Sequence, residues 1–304
     1  MVRLGAVAVL IAGLTAAGCG TPSGGPPGVV SVVASTNVWA DVVEQIAGRL
    51  AGHKVQATSI ITDPAADPHS YEANSRNKLA IYRADLIVEN GGGYDDYVDT
   101  LRDSSGSDAP VINAVDVGAT GSDNEHVWFD FPTVEKVARR VEAFLIAHDN
   151  AHDNAHARTF RSNTTAFVDE LHHLEADEAL IKKDLGGDGV AITEPVALYM
   201  LTACGLVNRT PTEFSEAVEE GTGLSPHVLS DTLSLFDDRR VGLLVYNRQT
   251  KGVETSQLRS KAAEDNIPEV GFSETLPPGK TYVSWMRANL AALVAAEGIS
   301  QKLK

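Results

Sequence analysis

Four residues of this 304-residue chain have the types and settings for shared chemistry: His69, His126, Glu194 and Glu274. His69 lies in Asp67-Pro68-His69-Ser70-Tyr71-Glu72, just after the apolar run Val55 to Thr62. The intervening Asp63-Pro64-Ala65-Ala66-Asp67-Pro68 predicts a stiff loop at the carboxyl end of a strand, where open α/β sheets bind ligands. Glu194 closes the run Val190-Ala191-Ile192-Thr193, and Glu274 closes Val270-Gly271-Phe272-Ser273. His126 opens Val127-Trp128-Phe129 after a loop. All four residues are therefore expected at strand ends.

Two imidazoles and two carboxylates suit a divalent first-row metal, and the absence of thiolate or thioether from the set favours the harder ions. Two-oxygen chelation by both carboxylates would give six donors, which favours manganese or ferrous iron. Single-oxygen ligation would give four and would fit zinc. Two carboxylates and two neutral histidines also cancel the charge of a divalent ion, which lowers the cost of burying it. Such a set keeps no position for a reactive water and brings no general base, so it points to carriage rather than catalysis. An exported metallohydrolase is the rival, but the chain contains no His-Glu-x-x-His helix, Gly-x-Ser-x-Gly elbow or dinucleotide fingerprint. The triple glycine Gly91-Gly92-Gly93 lacks the Gly-Lys-Ser/Thr continuation of a phosphate loop and reads as a strand-to-helix turn.

The elements that must position these residues alternate between strand and helix along the chain. Val29–Ser35 is a β-branched first strand, followed by an amphipathic helix that stops at Gly48. The same alternation runs to Val115 and resumes from Val190 to a terminal helix over 282–296, which predicts parallel sheets flanked by helices in two lobes. Between them, residues 157–183 carry neither proline nor glycine and predict one long connecting helix of roughly 40 Å. Ser215 to Pro226 reads as a loop, with His227 structural at the start of the next helix. The predicted organisation is a signal peptide (1–18), a lipidated Cys19 with a flexible tether (19–28), an N-terminal lobe (29–148), a linking region (149–186) and a C-terminal lobe (187–304).

The amino terminus supports the first two of those segments. Arg3 precedes an apolar core from Leu4 to Ala17, too short for a membrane span. Ala16-Ala17-Gly18-Cys19 resembles a bacterial lipobox, with Ala16 where leucine is usual, and a tether rich in Gly, Pro and Ser follows. Lipid on Cys19 would anchor the protein to the outer face of the cell membrane. It would also leave Cys204, set among apolar residues, without a partner and expected to be buried. A formal net charge of −16 argues against nucleic acid as a partner and favours cations.

Nearly all of residues 29–300 resembles the metal-binding lipoproteins that serve as solute-binding subunits of ABC-type manganese and zinc importers. The resemblance is carried by Asp67 to Glu72, Ala84-Asp85-Leu86-Ile87-Val88-Glu89-Asn90-Gly91, His126-Val127-Trp128, Glu194 with Tyr199 and Gly205-Leu206, and Phe272-Ser273-Glu274-Thr275-Leu276 before Tyr282 and Asn289-Leu290. It implies two lobes joined by a rigid backbone helix, with the metal in the cleft between them. It also implies a monomer that passes its ion to a membrane permease driven by an ATPase. His69 and His126 match the family's amino-terminal histidine ligands. Glu194 matches a position that is glutamate in many manganese importers, and Glu274 stands where aspartate is usual. The histidine-dense loop of zinc importers is absent before His126, so manganese is favoured, with zinc or ferrous iron the alternative. Family members have also been proposed as adhesins, which leaves a second role with structural metal open.

Ala147 to His156 repeats Ala-His-Asp-Asn and sets His148, His152 and His156 four residues apart, on one face of any helix they share. A duplicated surface tetrapeptide is the simpler reading. Replacing the three histidines with alanine is expected to leave tight metal binding intact in a titration, and a large loss of affinity would place the site here instead.

Overall fold

A computed structural model describes residues 28–149, 155–296 and 298. The predicted signal peptide, Cys19, the tether up to residue 27, and His152 lie outside the described residues.

The β-branched segment Val30–Thr36 forms β1, at the centre of the first lobe. It pairs in parallel with Val55–Ile61 (β2) on one side and Leu86–Glu89 (β3) on the other, and β3 pairs with Val111–Asn113 (β4), giving the order β2-β1-β3-β4. The crossovers carry helices α1 (Asn37–Ala47), α2 (Ser75–Tyr82) and α3 (Tyr97–Ser105), and the short α4 (Ala114–Gly118) follows β4. Asn74 caps α2 through a reciprocal capping box with Asn77, which sets where the His69 loop ends. At the β3 turn, Gly91 takes φ +78°, and a Cβ there would run into the Asn113 amide. That is the strand-to-helix turn expected of the triple glycine.

The second lobe repeats this topology. Strands β5 (Gly189–Ile192), β6 (Val207–Asn208), β7 (Leu243–Asn247) and β8 (Glu269–Phe272) form a parallel sheet in the order β6-β5-β7-β8. Around it lie α7 (Leu198–Ala203), α8 (Thr212–Glu219), α9 (Pro226–Asp237), α10 (Val253–Glu264) and α11 (Tyr282–Ala296). α5 (Phe131–Ala147) packs against α1 and α4 of the first lobe, and the 31-residue α6 (Ala155–Leu185), which at 1.5 Å per residue spans about 46 Å, connects that lobe to the second. Cys204 is buried.

The structure corrects two expectations. The stretch expected as loop from Ser215 begins inside α8, which buries Phe214 and Val218 four residues apart. Eight residues with two apolar anchors are too few to establish a helical period in sequence. His126 is not at a strand end: it precedes a 3-10 turn over Val127–Phe129 whose three side chains are all buried. Successive inward side chains suit a tight turn inside a core, whereas a half-buried strand would send every second one to solvent.

α6 joins the lobes by burial as well as by connection. Phe160, Phe167, Leu171, Leu174, Ile181 and Leu185 recur at helical spacing and enter one apolar core that contains strands of both sheets. Polar bonds complete the seam: Leu276 N donates to Asn37 Oδ1 (2.8 Å), Tyr282 N to Asp41 Oδ2 (2.7 Å), and Tyr282 Oη to the Trp128 carbonyl (2.6 Å).

Glu178 is a titratable residue within this seam, 6% exposed, with no hydrogen-bond partner for Oε1 among the described residues. Burial, reinforced by Glu175 and Asp130, pushes its pKa up to about 9 from an ordinary 4.5. Between those values the folded state keeps a proton that the unfolded chain has lost, so stability falls as pH rises. Glu178→Gln is expected to raise stability, and with it the melting temperature, by a margin that is small near pH 5 and grows to about a few kcal/mol near pH 9. Thermal melts across that range check this, and a gain independent of pH would rule out the ionisation as its source.

Candidate metal centre

The carboxyl ends of strands from both sheets face one cleft. The loop after β2 supplies His69, the ends of β5 and β8 lead to Glu194 and Glu274, and β7 ends at Asn247. Asp67 fixes the His69 loop by accepting from His69 N (2.9 Å) and Ser70 Oγ (3.0 Å). The loop is also tied to the opposite lobe, because Gln249 Nε2 donates to the Ala66 carbonyl (2.9 Å) and Thr275 Oγ1 to that of Pro64 (3.1 Å).

Asn247 organises the acidic side. Its Oδ1 accepts from Gln249 N (3.0 Å), which turns Nδ2 toward the cleft. There Nδ2 donates to Glu194 Oε2 (2.7 Å) and Glu274 Oε1 (2.6 Å). Thr250 Oγ1 adds a bond to Glu194 Oε2 (3.2 Å). Each carboxylate is thus held by one oxygen, and Glu194 Oε1 and Glu274 Oε2 are buried without hydrogen-bond partners among the described residues. In this arrangement each offers one free oxygen, not the two that chelation would need.

The imidazole side is prepared differently. His126 is fully buried, and its Nδ1 lies 2.7 Å from Asn124 Oδ1. Asn124 Nδ2 donates across the seam to the Pro195 carbonyl (3.1 Å), so Oδ1 is the atom presented to the ring. That bond places the proton on Nδ1 and leaves the Nε2 lone pair free, the tautomer a metal requires. Burial, then the neighbouring His69, keeps the His126 pKa well below the ordinary range, so the ring is neutral. Tyr94 stands edge-on to both imidazoles at centroid distances of 5.0 and 5.8 Å, with Trp128 behind His126 at 5.0 Å.

The four predicted site residues share this cleft but are not equally close. His69 Nε2 lies 4.0 Å from Glu274 Oε2, and Glu194 joins through Asn247. Two acids absent from the sequence reading stand nearer to the rings: Glu125 Oε1 is 4.0 Å from His69 Nε2 and Glu219 Oε1 is 3.4 Å from His126 Nε2. Ligand atoms of His69, Glu125, His126 and Glu219 all lie within 4.8 Å of one another. Glu125 is the neighbour of a predicted ligand and could have been weighed with it. Glu219 ends the helix that the sequence reading took for loop, so nothing marked it.

No Lys or Arg among the described residues forms an ion pair with any of these four carboxylates. Burial, then mutual repulsion, lifts Glu219 to about 9, and burial, with repulsion from Glu194 and Asp67, lifts Glu274 to about 8. At neutral pH the cleft therefore holds protons where a cation would otherwise compensate the charge.

Two parallel lobes around a long helix, with buried imidazoles and carboxylates converging between them, define the class of metal-binding substrate-binding proteins of ABC importers. Residues 32–296 match the family described as zinc-uptake complex component A, periplasmic, and the chain belongs to that family. It is 24% identical over 315 aligned positions to the metal ABC transporter substrate-binding lipoprotein FimA of Streptococcus parasanguinis, covering 96% of each chain. The manganese ABC transporter substrate-binding lipoprotein PsaA of Streptococcus pneumoniae gives the same identity and coverage. Among solved structures, the periplasmic zinc-binding protein TroA from Treponema pallidum superposes with a TM-score of 0.72 at 20% identity, over 88% of this chain and 99% of the other.

Because a single amide orients two carboxylates, Asn247→Ala is expected to lower divalent-metal affinity by about 10- to 100-fold without abolishing the fold. Calorimetric titration of folded variant and parent checks this. Unchanged affinity would mean that the carboxylates need no such support.

Proposed function

We propose that the protein captures a divalent transition metal outside the cytoplasm and delivers it to an ABC permease with its ATPase. His69, His126, Glu194 and Glu274 hold the ion in the cleft. The observation that carries this reading is a buried cluster of imidazole nitrogens and carboxylates with unpartnered ligand atoms and no Lys or Arg paired to them among the described residues. Two neutral imidazoles and two carboxylates balance a doubly charged ion, and the ion's arrival removes the repulsion that now keeps protons in the site. The chain acts as a monomer, held at the membrane through lipid on Cys19 and lying on its outer face, as the naming of its relatives as lipoproteins supports.

Manganese is the preferred cargo. The donors are oxygen and imidazole nitrogen with no sulfur, and a full-length relative is named for manganese. Zinc is the second reading, favoured by one observation: with Asn247 holding one oxygen of each carboxylate, the set offers four donors, the number zinc usually takes.

Competitive titration of the metal-stripped chain with manganese, ferrous iron and zinc separates the two. Zinc is expected to bind tightest by the general affinity order, so its margin over manganese decides. One ion per chain, manganese held at about micromolar or better, and a loss of more than about 100-fold in Glu194→Ala and Glu274→Ala support a manganese carrier. Tight zinc with negligible manganese would change the cargo. Failure to bind any of the three would overturn the function.

A further inference from the structure

Resting on that reading of the cleft, we infer that Glu219 and Glu125 form a second carboxylate pair for the same ion, an outer station that shares His69 and His126 with the inner pair Glu194 and Glu274.

His69 is the pivot. Its Nε2 lies 4.0 Å from Glu125 Oε1 and 4.0 Å from Glu274 Oε2, so one imidazole can turn its lone pair to either set. His126 is the second shared group. Its side chain is fully buried, its Nε2 makes no hydrogen bond, and the atom nearest in charge complement is Glu219 Oε1 at 3.4 Å, itself buried and unpartnered.

The two sets cannot be filled together. Nδ1 of His126 is engaged by Asn124, which leaves a single ring nitrogen, and one lone pair binds one ion at a time. A single ion held by all six residues is also disfavoured. The ligand atoms of His69, Glu125, His126 and Glu219 lie within 4.8 Å of one another, a group that excludes Glu194 and Glu274. Four ionised carboxylates around one divalent ion would moreover leave two negative charges buried without compensation, whereas either pair with two neutral imidazoles balances it.

The order of the stations follows from exposure. Glu125 and Glu219 retain 15% and 11% of their side-chain surface, while Glu274 retains 2%. The ion arriving from solvent meets Glu125 and Glu219 first, is taken up by the shared histidines, and moves inward as Glu194 and Glu274 replace the outer carboxylates. Ligands are exchanged one at a time, so the ion is never stripped of all protein donors in the cleft. Release retraces the path.

Rapid-mixing measurements on the full chain test this, following manganese capture and its release to an excess of chelator. Glu219→Gln keeps size and removes the charge. It is expected to slow capture and release together by about tenfold while equilibrium affinity stays within about threefold, because a station on the path changes both rates alike. Glu274→Ala, measured alongside, is expected to lose equilibrium affinity instead. Glu125→Gln should reproduce the Glu219→Gln pattern and carries the test if Glu219→Gln fails to fold. Rates within about twofold of the parent would overturn the outer station, and so would an affinity loss in Glu219→Gln as large as that of Glu274→Ala. Absence of metal binding in the parent chain would instead overturn the function itself, a result that the variants cannot mimic.

Discussion

Glu194 and Glu274 share one amide. Asn247 Nδ2 reaches both carboxylates within 2.7 Å, and its orientation is set from behind by a backbone bond to its Oδ1. Two buried acids so close would repel one another, and with no lysine or arginine paired to them among the described residues the amide is what fixes their positions. The remainder of the cleft depends on that arrangement, because it decides which oxygen of each acid is occupied and which is left to face the imidazoles. The protonation of the site has the same origin. Glu219 and Glu274, held apart from water and near other carboxylates, keep their protons above the usual carboxylate range, and a cation that binds there displaces them.

The duplicated topology explains how such a site is assembled from distant parts of the chain. Each sheet has its first strand inside, flanked by the second and third, so the carboxyl ends open where the strand order reverses. One lobe contributes imidazoles, the other carboxylates and the amide that aligns them. The seam bonds then serve two purposes. Asn124 fixes the His126 tautomer while its own amide is tied to Pro195, and Gln249 holds the His69 loop while its Oε1 accepts from Glu274 N (2.6 Å). Ligand geometry and lobe alignment are therefore set by the same side chains.

Much of this was legible in the sequence where the signal was local and repeated. Alternating strands and helices, the long uninterrupted helix, and the two Asp-Pro steps that precede His69 all reflect short-range chemistry, and the parallel two-lobed fold follows from them. His126 stands out by residue type but not by position, because Val127-Trp128-Phe129 has the composition of a strand and is nevertheless a buried turn. Nothing local marks Glu219, because α8 is short and acidic and its nearness to His126, 93 residues earlier in the chain, arises only from the packing of the two lobes. Asn247 escaped for a related reason. An asparagine at the end of an apolar strand has no distinctive pattern, and its role exists only once two glutamates from other strands converge on it.

The apolar core that passes through α6 does not divide at the lobe boundary. Neither lobe can separate from the other without exposing apolar surface, so the two lobes hold together as one unit. Whatever binds in the cleft acts on that whole unit through mass action rather than on one half of it. Cargo in the cleft would make the opening on which proteases act rarer, so carriers without it would be the first to be cleared.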